Sequence, residues 1–153
     1  MTAISSAVAL CIRQPFQHHH AATFAAPVAI GGSVEGEEIA APKFDPFWAK
    51  AQELDVPVVI HPPSVGFGEE RMRDYRLASS IGRPMDGALA VSRLIVRGVF
   101  DELPNLKIVM GHYGEALPFL VDRVDRAYMQ GHSTPNPEIG PGTKHWAGYY
   151  VKR

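Results

Sequence analysis

Two short apolar runs of the chain end on a histidine. Val56-Pro-Val-Val-Ile60 is closed by His61 and Pro62-Pro63, and Leu106-Lys-Ile-Val-Met110 by Gly111-His112, with Glu115 three residues further on. A neutral imidazole is a ligand for a divalent metal and, near neutral pH, both a proton donor and acceptor. A carboxylate three positions away can orient the ring, act as general acid or base, or face a cation. His61 and His112 are therefore the candidate metal ligands, and His112 with Glu115 the candidate proton-handling pair. Singly, each has an ordinary structural explanation. A histidine at a strand end is commonly just hydrogen-bonded, and an acid in a first helical turn is favoured by the helix dipole. What marks a site is their coincidence at neighbouring strand ends.

Other residues with chemical potential have plainer accounts. His18-His19-His20 has His-x-His spacing, but it sits in a polar tract where incidental metal affinity suffices. Arg83, Arg93 and Arg97 could hold a substrate carboxylate, yet at least two of them fall on a helix face and are expected in solvent. Phe47 and Trp48 read as core packing against a sheet. Asp122, Arg123, Asp125 and Arg126 read as helix-face ion pairs. Cys11 has neither the context nor the partner of a nucleophile.

The elements that must carry the histidines follow from the apolar pattern. Pro27-Val-Ala-Ile-Gly-Gly32 reads as a short buried strand ending in a glycine turn. Lys43–Leu54 reads as a helix with Asp45 as N-cap and Pro46 at the first helical position, where its missing N–H costs nothing. Val56–Ile60 is a continuous apolar run, as in a strand covered on both faces. Pro84–Phe100 reads as a long helix with Ala88, Val91, Leu94, Ile95 and Val99 on one face. Leu106–Met110 is a third strand. Glu115–Met129 is a third helix, with Leu117, Leu120, Val121, Val124 and Tyr128 inward. Strand and helix thus alternate three times, with crossover lengths suited to right-handed βαβ units and a parallel sheet. Open doubly wound sheets and (β/α)8 barrels are both built this way, and both place function at the carboxyl ends of their strands.

Composition narrows the partners. Lys+Arg 15 against Asp+Glu 16 gives a net charge of -1, which argues against a nucleic-acid binder. No apolar run approaches the roughly 20 residues of a membrane helix. A single cysteine excludes an intrachain disulfide and points to the cytoplasm. Residues 1–26, in which Arg13 is the one charged residue, read as a poorly ordered or aberrant leader. Residues 27–130 read as the folded unit and 131–153 as a Pro/Gly-rich tail without firm structure.

The runs FDPFWAKAQELDVPVVIHPP and LIVRGVFDELPNLKIVMGHYGEALPF, with the following DRVDRAY, resemble the amidohydrolase-related enzymes. That group includes aminocarboxymuconate-semialdehyde decarboxylase and the resorcylate-type aromatic decarboxylases. The resemblance covers about Ile30 to Tyr128. It implies an α/β fold, a partial (β/α)8 TIM barrel of about three βα units with parallel strands. By the same resemblance His61 corresponds to the metal-ligating His of the fifth strand, His112 to the catalytic or metal-proximal His of the sixth, and Glu115 to its assisting acid. The implied cofactor is a divalent metal, zinc first and manganese second, and the implied partner is a small carboxylated or aromatic substrate. The family's first strand also supplies a His-x-His or Glu-x-His pair and its eighth an Asp, and neither motif stands at its expected place here. The expectation is therefore a central portion of a metal-dependent decarboxylase or hydrolase, incomplete as a lone chain. Two alternatives stand beside it: an inactive partial barrel acting through self-association, as a homo-oligomer or with a complementary chain, and an open flavodoxin-like sheet binding an anion near Gly31-Gly32.

Overall fold

The alternation of short apolar runs with amphipathic segments produces one mainly parallel sheet with helices along one side. A computed structural model describes residues 10–12, 26–129 and 142–151. Its main sheet has the order β1-β6-β5-β2, formed by β1 (Leu10–Ile12), β2 (Val28–Ile30), β5 (Val58–Ile60) and β6 (Ile108–Met110). The strands β2, β5 and β6 are mutually parallel and in step, with Ile30 level with Ile60 and Ile60 level with Met110. A small antiparallel hairpin, β3 (Ser33–Val34) with β4 (Glu37–Glu38), follows β2. Its two-residue turn places Glu35 and Gly36 at positive φ, the geometry that suits the twist of tight hairpins.

The helices are α1 (Asp45–Glu53), α2 (Arg83–Arg97), α3 (Val99–Glu102), α4 (Leu117–Met129) and α5 (Ala147–Tyr150). Val58, Ile60, Ile108 and Met110 join one buried cluster with Trp48 of α1, Val91, Leu94 and Ile95 of α2, and Leu117 and Val121 of α4. The parallel strands thus advance in one direction without reversal, and their helices share one face of the sheet. That is the barrel arrangement rather than the doubly wound one, which would put helices on both faces.

Several expectations are corrected by this packing. Val59 and Val109, on the other face, are only half-buried, so among the described residues the strand Val56–Ile60 is not fully covered on both sides. The first strand is not buried either: Val28 and Ala29 are exposed at the outer edge of the sheet. Asp45 is not an N-cap but lies inside α1, and its carboxylate pairs with the Arg97 guanidinium. Arg97 is accordingly buried rather than solvated and also donates to Ala40 O at 2.6 Å. Arg83 is half-buried, leaving Arg93 the exposed one of the three, paired with Glu38. Trp48 is fully buried and donates through Nε1 to Ile39 O at 3.0 Å, whereas Phe47 lies partly outside the core against the Trp48 ring.

The long helix expected over Pro84–Phe100 is broken. Gly98, at φ 88°, ends α2 and starts α3, in a left-handed conformation that favours glycine. A Cβ there would stand 2.6 Å from Gly142 O, so the break also makes room for the C-terminal segment. Asp125 is no surface ion-pair partner: it is buried and accepts from the backbone N–H of Ala147 and Gly148. These bonds fasten α5, so the segment expected to lack structure includes a short helix, and Ala147, Tyr150 and the following Val151 are buried. The expected leader, apart from Leu10–Ile12 and Ala26, lies outside the described residues, as do His18, His19 and His20. Leu10–Ile12 pairs antiparallel with β6. The Tyr128 side chain also lies outside what is described.

Candidate active site

The in-step register of β5 and β6 carries His61 and His112 out at the same carboxyl edge. The ladder runs one residue past each strand: His61 N donates to Ile30 O at 2.8 Å, and Gly111 N to Ile60 O at 3.2 Å. Beyond it, the His61 and His112 rings lie with centroids 4.8 Å apart, tilted by 30°. Both histidines are exposed, so the paired rings are open to a ligand.

Glu115 completes the cluster from an unexpected position. It is not in the first turn of α4, which begins at Leu117, but in the tight turn after β6. His112, Tyr113 and Glu115 all have positive φ, of 41°, 60° and 57°. Such backbone costs on the order of 1–3 kcal/mol per residue and persists only where the surroundings enforce it. Here it folds the acid back beneath the ring: Glu115 Oε1 lies 3.0 Å from His112 Nδ1 while the Glu115 side chain is fully buried. The helix-dipole account of Glu115 therefore does not apply.

Two glycines make room for this geometry. A Cβ on Gly111 would lie 3.3 Å from His61 Cδ2 and 3.4 Å from Glu115 Oε1. A Cβ on Gly87 would lie 3.0 Å from Glu115 Cγ, so the acid packs directly on the α2 backbone. Ala116 N donates to Pro84 O at 3.3 Å and ties the turn to the same helix start.

One residue of the surrounding frame escaped the sequence reading. Asp86, buried in the first turn of α2, accepts from Gly66 N at 2.9 Å and so holds the loop that follows His61. Its signal was an acid two residues past a helix-initiating proline, which the helix dipole explains equally well. Asp86 also corrects the anion alternative. A Cβ on Gly32 would lie 2.4 Å from Asp86 Oδ2, so an anion at Gly31-Gly32 would meet a buried carboxylate.

Residues 17–133 match the sequence pattern of the amidohydrolase family. This chain belongs to that family. The match spans more than half of the sequence and includes both histidines and Glu115. Relatives include the decarboxylase orsB of Emericella nidulans, 40% identical over 103 residues, which are 61% of this chain and 31% of that protein. Another is 2-amino-3-carboxymuconate-6-semialdehyde decarboxylase of Dictyostelium discoideum, 34% identical over 101 residues, 66% of this chain and 28% of that protein. Among solved structures, the fold superposes with a TM-score of 0.64 and 30% identity on 5-carboxyvanillate decarboxylase from Novosphingobium aromaticivorans, over 76% of this chain and 34% of that one. That structure holds manganese and 4-hydroxy-3-methoxy-5-nitrobenzoic acid. The chain thus spans about a third of the length of these relatives. Its three parallel βα units are part of a (β/α)8 barrel, and the decarboxylase resemblance is confirmed at the level of the family.

Proposed function

We propose that this chain carries the histidine portion of the active site of a metal-dependent decarboxylase acting on small aromatic carboxylates. The observation that carries the reading is the convergence of His61, His112 and buried Glu115 at one carboxyl edge of adjacent parallel strands. Family membership supports it, because the named relatives are decarboxylases of carboxylated substrates.

The donor set suits a divalent ion in part. His61 would hold the ion with His112 beside it, but among the described residues no cluster of three or more His, Cys, Asp or Glu could hold a metal. Metal sites use three or four protein ligands, so turnover requires ligands from outside the described residues, in this polypeptide or another. Imidazole suits zinc; the carboxyvanillate relative holds manganese, and elemental analysis separates the two. When bound, the ion would orient the substrate and stabilise negative charge developing on it.

The chain's own residues handle the proton. Glu115, as a carboxylate, accepts from His112 Nδ1–H and leaves Nε2 as the nitrogen that exchanges a proton. In decarboxylation the bond between the ring carbon and the carboxylate breaks, carbon dioxide leaves, and the freed electron pair takes the proton that His112 delivers. Glu115 holds the imidazole in place as its charge changes.

Metal content and carbon dioxide release from purified protein test this together, with 2,6-dihydroxybenzoate and 5-carboxyvanillate as substrates. The expected result is a divalent metal lost in His61→Ala, and carbon dioxide release lost in His112→Gln with the metal retained. Metal content unaffected by His61→Ala would remove His61 from the ligand set. Hydrolysis of an ester or amide without decarboxylation would reassign the chemistry.

A further inference from the structure

Two buried side-chain atoms among the described residues have no hydrogen-bond partner: Arg83 Nε and Glu115 Oε2. One is a donor carrying positive charge and the other an acceptor carrying negative charge, so each is what the other lacks. They belong to neighbouring elements that already touch. Glu115 packs on Gly87, one helical turn after Arg83 on the same side of α2. Pro84, next to Arg83, accepts the N–H of Ala116, next to Glu115. The first Glu115 oxygen is occupied by His112, which leaves the second for a partner arriving from α2.

We infer that Arg83 is the second partner of Glu115 through one bridging water, since the two side chains make no direct hydrogen bond or ion pair, forming a line His112–Glu115–water–Arg83. Arg83 is then a positioning residue. It holds the buried carboxylate in the orientation that presents Oε1 to His112, and it offsets a negative charge that burial would otherwise disfavour. The inference rests on the reading of His112 and Glu115 as the proton-handling pair, and it extends that site by one residue whose Nε has no partner among the described residues. A fixed, planar guanidinium suits this task better than a lysine, whose charge is compact and whose stem is flexible.

A double-mutant cycle tests the pairing without requiring turnover. Thermal unfolding of the full chain is measured for Arg83→Gln, Glu115→Gln and the double variant. Each single change should lower the midpoint, and the double variant should fall no further than the worse single one. Losses that simply add would overturn the pairing. Arg83→Lys should recover only part of the midpoint. Nitrogen-15 shifts of the His112 ring at fixed pH should move in Arg83→Gln, which a merely structural arginine would leave in place. If the variants fail to fold, the wild-type protein decides. Its Arg83 Nε–H should show a nuclear Overhauser cross-peak to a long-lived bound water, and absence of that water would overturn the pairing. A coupled pair in a protein that releases no carbon dioxide would leave the line standing and remove the decarboxylase reading. Turnover with additive losses would do the reverse.

Discussion

The site depends on a carboxylate reaching an imidazole from below, and the residue that permits this carries no side chain. Gly87 lies in the middle of the first half of α2, where glycine is about 1 kcal/mol poorer than alanine as a helix former. The cost is offset by the packing of Glu115 on its backbone, with Cγ only 3.0 Å from where a Cβ would stand. Gly87→Val should therefore displace Glu115 from His112 Nδ1. The expected outcome is a folded protein whose His112 ring nitrogens no longer show a carboxylate-bound pattern, read by nitrogen-15 shifts. An unchanged pattern would mean that Glu115 finds the ring by another route. At this scale the sequence was legible for residue types and opaque for contacts. His61, His112 and Glu115 stood out by their places after two apolar runs. Arg83 did not separate from Arg93 and Arg97, because burial of one cation on a helix is a property of what packs over it.

Among the elements, α2, α4 and α5 form the outer frame, and α5 is fastened to it by the buried Asp125, the half-buried Asp101 and one phenol. Tyr150 OH donates to Asp101 Oδ1 at 2.6 Å and accepts from Thr143 Oγ1 at 3.1 Å. Burial, reinforced by the Asp101 hydrogen bond and charge, pushes the Tyr150 hydroxyl up to about 12 from its ordinary value near 10. The neutral phenol is thus favoured by the folded state. Its contribution is fully present below about pH 10 and is lost as pH rises from about 10 to about 12. Tyr150→Phe should be less stable than wild type near neutral pH, and the gap should narrow as the solution is made alkaline across that range. Denaturant unfolding at a series of pH values checks this, and a constant gap would refute it. Helices α1, α2 and α4 were visible in the sequence within a few residues at their ends, whereas α5 was not. Their breaks were not: Gly98 reads in sequence as one glycine within an apolar stretch, and only its contact with Gly142 requires the turn there.

Taken whole, the molecule presents a sheet whose β6 side is met by β1 and whose β2 side, among the described residues, pairs only with β5. Val28, 42% exposed, lies on that outer strand. An exposed apolar edge strand is a template for pairing with another chain, and a lysine on it opposes such pairing. Val28→Lys should lower the weight-average mass seen in sedimentation velocity if copies associate through this edge. An association unchanged by the substitution would place any interface elsewhere. On the helix-covered face Trp48, Leu94, Ile108 and Leu117 are fully buried.

The sequence by itself determined the parallel βα plan, the family, and the two histidines at strand ends, because apolar period and strand-to-loop position are written locally in the chain. Only the tertiary structure decided that Glu115 lies outside its helix and fully buried, that Arg97 and Asp125 are interior ties rather than surface charges, and that Asp86 holds the loop after His61. The physical reason is common to Arg97, Asp125 and Asp86. A charged residue is exposed or buried according to which backbone groups and opposite charges reach it, and those partners stand 20 to 57 residues away in the chain at Gly66, Ala147 and Ala40. Distance of that kind leaves no local pattern, so the fold plan was legible and the wiring of its buried polar groups was not.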